Sequence, residues 1–360
     1  MDSITTVTIP TVTTVTTIQI PTISNNIFYI NDMVFVISTF LSPRDRNNLL
    51  RCNKDLYNLK LMYYNLNKEY SLKYYLNDES FRDIINSKIC NSRFQLSLNL
   101  FEDEDEYEMI VRDVSMLGNV HILNLSCTYV KDVSALGNVH KLYLYGCTEI
   151  TDVSALARVH TLNLRDCCEI KDVSMLGNVY NLDLSYTRIS DVSALGNVHT
   201  LTLCDLNIDD VSMLGNVYDL TLFGCWNITD VSALGNVHIL DLSTCENLTD
   251  VSALGNVHTL NLSTCENLKD VSALGNVHTL NLSGCYKIKD VSNLGNVYNL
   301  NLSGCVRIKN VNALGNVHTL NLSRCTMIKD VSMLTTVHQL DITACTKITD
   351  TSMLHNLTYL

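Results

Sequence analysis

The sequence has no run of about 18 or more apolar residues, so no segment has the length of a membrane-spanning helix. Positive charge is also scarce, because 25 Lys and Arg stand against 37 Asp and Glu and the net charge is −12. Nucleic-acid backbones are bound by clustered basic residues, so a nucleic-acid partner is not expected. A close Cys-x-x-Cys pair is absent as well, which disfavours a zinc site. We therefore expect no metal, no cofactor and no membrane contact.

The 14 cysteines do not follow the spacing of a secreted disulfide framework. Nine of them recur at one position of a repeated sequence: Cys147, Cys167, Cys225, Cys245, Cys265, Cys285, Cys305, Cys325 and Cys345. In stacked repeats they would form a ladder of thiols about 5 Å apart, which is the spacing of neighbouring strands. Buried free cysteine packs as a small hydrophobe, so we expect a structural ladder of reduced thiols and a cytoplasmic location.

A unit of 20 residues, in places 19, is repeated over most of the chain, and residues 279–318 hold two successive copies. Within the first copy, Leu280 and Leu282 alternate with polar residues, which predicts a short strand with both leucines inward. Asp290 as a helix N-cap and Gly295 as a C′ residue predict a short helical or 3₁₀ turn between them. One such unit cannot bury its apolar face alone, so the units should stack around a common core.

The unit resembles the leucine-rich repeat, whose pattern L-x-x-L-x-L-x-x-N/C-x-x-L is met by Val277, Leu280, Leu282, Cys285 and Ile288. The resemblance covers roughly residues 96–360 and recurs about a dozen times. It implies an α/β fold of the leucine-rich-repeat solenoid type, with a parallel β-sheet on the concave face and short helical or 3₁₀ turns on the convex face. We place the repeats at residues 101–360 and expect a small N-terminal helical domain before them.

The first hundred residues differ from the repeats in composition. Residues 1–24 are rich in Thr, Val and Ile and are expected to form a disordered or loosely extended tail, without the basic start of a signal peptide. Residues 25–60 have the apolar spacing of amphipathic helices. Residues 61–100 are predicted to form a helical connector and N-terminal cap, ending in a degenerate repeat strand near Leu98. The acidic segment at residues 101–108 predicts either a solvated loop or a patch that attracts a basic partner.

Residues 25–60 resemble the F-box, the helical module that docks the linker subunit of cullin-type ubiquitin ligases. The matching positions are Ile37, Leu41, Asp45, Leu49 and Lys54. The Leu-Pro pair that usually opens an F-box is absent, and tyrosines stand where a larger aromatic residue is usual. The resemblance implies binding to a Skp-type linker. The alternative is that these helices only cap the open end of the solenoid.

Function in such repeats is expected on the concave sheet face, at the outward strand positions. From residue 239 to 323 these positions repeat Thr, Asn and Ser, whereas from residue 141 to 226 they vary. The residues that stand out there are Lys141, Tyr143, Tyr145, Arg165, Asp183, Asp219, Phe223 and Trp226. Tyr, Trp and Arg are the usual anchors of protein interfaces, so we predict a partner-binding site in this half of the solenoid.

Nine of the ten histidines stand at the start of a repeat strand, and tyrosines take the same place in three other units. This pattern predicts a stacked row of rings near one edge of the sheet, with a pH-sensitive row or a metal site as alternatives. A catalytic triad is not predicted. His278 and Cys285 lie seven positions apart along an extended segment, up to ~20 Å, and many copies of a nucleophile cannot each have a water-excluding cleft.

Two hypotheses follow, and neither is an enzyme. The first is an F-box and leucine-rich-repeat adaptor that brings a substrate protein to a cullin-type ubiquitin ligase. The second is a plain leucine-rich-repeat interaction scaffold. The Asn, Tyr, Ile and Lys bias and the near-identical repeats resemble leucine-rich-repeat proteins of giant amoeba-infecting DNA viruses or of AT-rich protists. A viral source implies a host-cytoplasmic role. Self-association through an uncapped C-terminal sheet edge is a further expectation.

Overall fold

The computed structural model describes residues 113–354 throughout. Outside them it describes only Glu79, Asp83 and the backbone of five short strands, whose bounds follow. The chain divides into two compact units, residues 1–94 and 95–360. Among the described residues, no helix combines the length and the apolar character needed to cross a bilayer.

The N-terminal unit contains an antiparallel hairpin of β1 (Ile4–Pro10) and β2 (Val15–Pro21). The Thr-rich composition predicted a disordered or loosely extended tail here, so the hairpin is a correction. Alternation of Val and Ile with Thr in both strands explains it, because β-branched residues favour extended pairing. The short strand β3 (Tyr64–Asn65) follows, and Glu79 and Asp83 are helical and exposed. The F-box-like residues Ile37, Leu41, Asp45, Leu49 and Lys54 lie outside the described residues.

The second unit is a leucine-rich-repeat solenoid built on one open parallel sheet. Its strands pair in phase, so that Leu280 faces Leu260 on one side and Leu300 on the other. The strands are β4 (Leu96–Asn99), β5 (Ile122–Asn124), β6 (Lys141–Tyr143), β7 (Thr161–Asn163), β8 (Asn181–Asp183), β9 (Thr200–Thr202), β10 (Asp219–Thr221), β11 (Ile239–Asp241), β12 (Thr259–Asn261), β13 (Thr279–Asn281), β14 (Asn299–Asn301), β15 (Thr319–Asn321), β16 (Gln339–Asp341) and β17 (Thr358–Tyr359). The predicted fold class is confirmed, and β4 confirms the degenerate repeat strand predicted near Leu98.

Between the strands from β4 to β15 the chain forms one 3₁₀ helix per repeat, as predicted, whereas the segment between β15 and β16 forms turns instead. These helices are Ser115–Leu117, Ser134–Leu136, Ser154–Leu156, Ser174–Asn178, Ser193–Leu195, Ser212–Leu214, Ser232–Asn236, Ser252–Asn256, Ser272–Asn276, Ser292–Asn296 and Asn312–Asn316. Each repeat buries its leucines, valines and one further aliphatic residue, and the leucines at the centre of the strands are at most 2% exposed. Stacking these side chains produces one continuous core along the solenoid.

The boundary residues of the 3₁₀ helix differ from the prediction. Val291 is the N-cap residue of Ser292–Asn296, and Asp290, one position earlier, accepts the Ser292 N–H on Oδ1 at 2.9 Å. Gly295 was predicted as a C′ residue but lies inside the helix. Close packing against the next repeat favours glycine at this position. A Cβ on the equivalent Gly255 would lie 2.5 Å from the carbonyl oxygen of Ala273 in the next repeat.

The predicted thiol ladder is confirmed in its geometry. All nine ladder cysteines are free, and each thiol donates to the carbonyl oxygen of a leucine in the preceding repeat, such as Cys285 to Leu262 at 3.0 Å. The three 19-residue units are the ones that lack this cysteine. Thr128 and Thr187 replace it in two of them and donate to a carbonyl of their own repeat, at 2.6 and 2.7 Å. The third unit has Leu206, which is buried without a side-chain donor.

Candidate protein-interaction site

In the second half of the solenoid, polar side chains of the sheet face form hydrogen bonds with the backbone and with one another. Asn281 Oδ1 accepts the N–H of Ser283 at 3.0 Å, and the same bond recurs from Asn301 to Ser303. Asn261 also donates from Nδ2 to the carboxylate of Asp241 at 2.9 Å. These amides hold the turn after each strand in place, which explains why the residue type repeats.

The first half of the same face has a different surface chemistry. β6 and the residues after it present Lys141, Tyr143 and Tyr145, the first two half-buried and Tyr145 exposed. Arg165 follows on the neighbouring strand in the same row as Tyr145 and is also exposed. The structure therefore brings these four predicted residues together on adjacent strands.

Arg165 also makes an interaction that the sequence pattern did not predict. Its guanidinium carbon lies 4.6 Å from the centroid of the Tyr186 ring, which is a cation–π arrangement. The Tyr186 hydroxyl bonds to the Asp205 carboxylate, and this hydrogen bond raises the pKa of Tyr186 above its ordinary value. Arg165, Tyr186 and Asp205 thus form a chain across three successive repeats.

Phe223 and Trp226 extend this surface by one further repeat. Both are exposed, and Trp226 is 61% exposed, which is unusual for so large an apolar side chain. The Trp226 carbonyl accepts a hydrogen bond from Asn247 at 2.9 Å, so the turn that carries the indole is fixed. Gly224 has a positive φ of 71°, and a Cβ there would overlap the Asp205 carboxylate. Glycine at this position leaves room for that carboxylate.

Two predicted residues have other surroundings. Asp183 Oδ1 accepts both the N–H and the hydroxyl of Ser185, at 3.0 and 2.6 Å, so it holds a turn as the asparagines do. Asp219 is half-buried, and its pKa is raised by burial, while the nearby His199 acts in the opposite direction. Asp183 is the last residue of β8 and Asp219 is the first residue of β10, and neither is an exposed anchor.

We call the set Tyr145, Arg165, Tyr186, Asp205, Phe223 and Trp226 the aromatic patch; all but the half-buried Asp205 are exposed. Its members lie on turns that follow β6 to β10, four strand spacings apart, or about 19 Å. Tyr186 and Asp205 were missed because they stand one residue beyond the strand alternation, at a position with positive φ. The repeat register contains the missing signal, since this position is Gly, Thr or Cys in several units but Tyr and Asp here.

The predicted row of rings is present on one side of the sheet. Twelve rings run from His121 to His338, and successive centroids lie 4.3 to 4.9 Å apart, such as 4.7 Å between His258 and His278. His278 Nδ1 lies 3.2 Å from Thr279 Oγ1, and other histidines repeat this contact. We call this row the ring stack.

The ladder thiols are poor nucleophiles. Burial raises the pKa of Cys285 to about 12 and that of Cys225 to about 11, so both stay protonated at neutral pH. Within the part of the chain that the structure describes, no group of three His, Cys, Asp or Glu side chains is arranged to hold a metal ion.

No protein-family model matches this sequence, and the comparison with curated proteins found no match. Three of the solved structures with a similar fold come from Listeria monocytogenes. An internalin, inlF, is 19% identical over 74% of this chain and 78% of that chain, with a TM-score of 0.49. The functional domain of InlJ, described as including a cysteine ladder, is 19% identical over 68% of this chain and 66% of that chain, with a TM-score of 0.46. Internalin C2 is 26% identical over 42% of this chain and 68% of that chain, with a TM-score of 0.32.

Proposed function

We propose that this protein is a non-enzymatic interaction module whose solenoid binds a protein partner through the aromatic patch. The observation that carries the proposal is the chain Arg165–Tyr186–Asp205 beside the exposed Phe223 and Trp226. Exposed aromatic rings held by turns and flanked by a guanidinium are the composition of interface hot spots. A fixed scaffold lowers the conformational entropy that binding costs.

The test compares two variants of the full chain in quantitative co-purification from a eukaryotic cell lysate. Arg165→Ala/Tyr186→Ala/Trp226→Ala removes three members of the aromatic patch. The control Lys347→Ala/Tyr286→Ala removes a basic and an aromatic side chain from the other half of the solenoid. The proposal expects proteins that the wild type and the control retain and the patch variant loses. A partner set that is unchanged by the patch variant would contradict it.

A finer proposal concerns the role of partner binding in the cell. We infer from the resemblance of residues 25–60 to the F-box that this segment docks a Skp-type linker, so that the solenoid selects a protein for a cullin-type ubiquitin ligase. The support is the spacing of Ile37, Leu41, Asp45, Leu49 and Lys54 in the sequence. No chemistry by the chain itself is required.

Binding of the full chain to a purified Skp-type linker tests the finer proposal. Leu41→Ala/Leu49→Ala should abolish binding, while Leu72→Ala/Leu76→Ala, a matched change outside the F-box-like segment, should retain it. If the wild type does not bind the linker, the plain interaction scaffold remains and the ubiquitin role is rejected. The aromatic patch is tested separately, so the two proposals fail independently.

A further inference from the structure

Charge is distributed unevenly along the solenoid. Residues 113–250 carry six Lys and Arg against seventeen Asp and Glu, whereas residues 251–354 carry eight against six. The excess of positive charge is greatest between residues 281 and 330, where six basic side chains face only two carboxylates. A basic surface therefore exists within a chain whose net charge is −12.

Five of these six residues lie at two recurring positions of adjacent repeats, on the segment that follows the turn after the strand, and the sixth, Arg324, lies in that turn itself. They are Lys287, Lys289, Arg307, Lys309, Arg324 and Lys329, and we call them the basic flank. Lys289, Lys309 and Lys329 share one repeat position and form one row, and all three are exposed. Equivalent residues stack about 5 Å apart in this sheet geometry. The rings of the ring stack in the same repeats have that spacing, with 4.4 Å between Tyr298 and His318.

Carboxylates of the described residues do not neutralise the positive charges of the basic flank. Within the described part of the chain, none of its six side chains lies within ion-pair distance of a carboxylate, and the ion pair seen there joins Arg188 to Glu169 instead. Lys287 donates to the neutral amide oxygen of Asn267 at 2.5 Å. Rows of like charge are unfavourable to a folded sheet unless something outside the chain neutralises them.

A substitution at the centre of the flank increases the positive charge further. Most repeats have an aspartate after the lysine, and Asp290 and Asp330 each accept the N–H of the serine two residues on. In the repeat between them Asn310 makes the same bond to Asn312 at 2.9 Å. The turn therefore keeps its geometry, and the carboxylate charge is removed beside Lys309.

We propose that the basic flank binds an acidic, extended polypeptide segment of a partner protein. An extended chain repeats its same-face side chains every ~6.6 Å, and the flexible lysine side chains of a row spaced about 5 Å can reach them. Asp290 and Asp330 border the row, and they would repel the continuous charge of a nucleic-acid backbone. A polypeptide places neutral or basic residues opposite those aspartates and carboxylates opposite the lysines. Exposed Val306 adds an apolar contact between the basic residues.

Fluorescence anisotropy of the full chain with a labelled oligoglutamate peptide tests the proposal. The variant Lys309→Glu/Lys329→Glu should weaken binding about tenfold or more, because charge reversal replaces attraction with repulsion. The matched control is Lys131→Glu/Lys171→Glu, which makes the same change at the same repeat position in the acidic half and should alter binding less than about twofold. Binding should also weaken as salt is raised.

Three outcomes would overturn the proposal. They are no binding of oligoglutamate at low salt, equal losses in both variants, and tighter binding of oligothymidylate or phosphatidylserine vesicles than of oligoglutamate. The neutral variant Lys309→Gln/Lys329→Gln, with circular dichroism of each protein, separates loss of binding from loss of fold. The aromatic patch is unchanged in every one of these proteins, so the result is independent of its role.

Discussion

Residues 113–230 and residues 231–334 of the solenoid share one core but differ in the residues on the sheet face and on the turns that follow it. Both bury the same leucine and valine positions, and the 3₁₀ helices begin with serine in nearly every repeat. The second region repeats Thr, Asn and Ser on its sheet face and is made of 20-residue units only. The first region contains all three 19-residue units and the whole aromatic patch.

The difference shows which positions the fold constrains and which it leaves free. A ladder position must fill the core and satisfy a carbonyl, which cysteine does in nine repeats and threonine in two. The turn position after the strand neither fills the core nor satisfies a carbonyl, so Tyr186 and Asp205 can occupy it. The departures from the repeat are concentrated where a partner site is proposed, as expected if function is added to a fixed scaffold.

The largest expected difference between the two regions is in thiol reactivity. Cys127 is exposed in the first region, whereas Cys285 in the second is buried with its pKa raised by burial to about 12. Alkylation of the native protein at pH 8, followed by peptide mass spectrometry, should label Cys127 at least about a hundredfold faster. In urea the two should react alike. Equal rates in the native protein would contradict the closed ladder.

The next largest effect concerns close approach between neighbouring 3₁₀ helices. Gly255→Ala should cost about 1 to 3 kcal/mol of unfolding free energy, because the new Cβ meets the carbonyl oxygen of Ala273. The first region contains a natural exception, Ala157, at the same repeat position. Ala157→Gly should change stability by less than about 1 kcal/mol. Urea unfolding measures the unfolding free energy of both variants. Equal destabilisation would show that the close approach of the next repeat is not the reason for glycine at this position.

A smaller effect of opposite sign is expected at the turn after the strand. Thr244 has a φ of 59°, and its hydroxyl is buried without a hydrogen-bond partner. Thr244→Gly should therefore stabilise the protein by about 1 kcal/mol, since both the strained backbone and the unsatisfied oxygen are relieved. Gly284 has a φ of 73° at the equivalent position, so Gly284→Ala should lower the thermal midpoint. A Thr244→Gly protein that melts below the wild type would contradict this account.

The smallest effect is a pH dependence that originates in the ring stack. Burial first, then neighbouring positive charges, lower the pKa of His121 and His140 below 6.5. A lowered folded-state pKa means that the unfolded chain takes up protons first, so stability is full above about pH 6.5 and falls as the pH drops below it. His140→Tyr keeps a ring in the stack and removes one of these groups. The loss of stability between pH 7.5 and 5.5 should shrink by less than about 1 kcal/mol, since the ring is partly exposed.

Urea midpoints at the two pH values measure this effect, with Tyr180→His as the reciprocal control. Tyr180 lies in the stack between His160 and His199 at 4.8 and 4.3 Å. An added imidazole there should steepen the pH dependence. Parallel midpoint shifts in the wild type and both variants would show that the ring stack does not contribute.

The sequence was sufficient for those features that repeat within a unit. The alternation of Leu280 and Leu282 predicted the strand, the recurrence of cysteine predicted the thiol ladder, and His and Tyr at one position predicted the ring stack. The close approach of backbones in two neighbouring units was not predicted. Gly295 was assigned to a C′ position because the approach of the next repeat cannot be seen in one unit.

The candidate site was predicted in part for a similar reason. Tyr145, Arg165, Phe223 and Trp226 stand out from the repeat consensus by residue type alone. The pairing of Arg165 with Tyr186 requires knowledge of which turns face each other, and this depends on the sheet register. Asp183 has the residue type of a binding residue but the hydrogen bonds of a turn residue, which composition cannot distinguish. The Thr-rich N-terminus was predicted from low complexity, although its β-branched alternation already favoured pairing.

The in-phase register of the solenoid has a consequence for how its length can vary. Because Leu260, Leu280 and Leu300 pair as equivalents and Cys265, Cys285 and Cys305 each bond to the unit before, every unit from residue 251 to 310 meets its neighbours through the same contacts. A tandem duplication or an in-frame loss of one 20-residue copy would leave each remaining junction unchanged. The distance between the aromatic patch and the basic flank can therefore change in steps of one strand spacing, and no new kind of contact between units is needed.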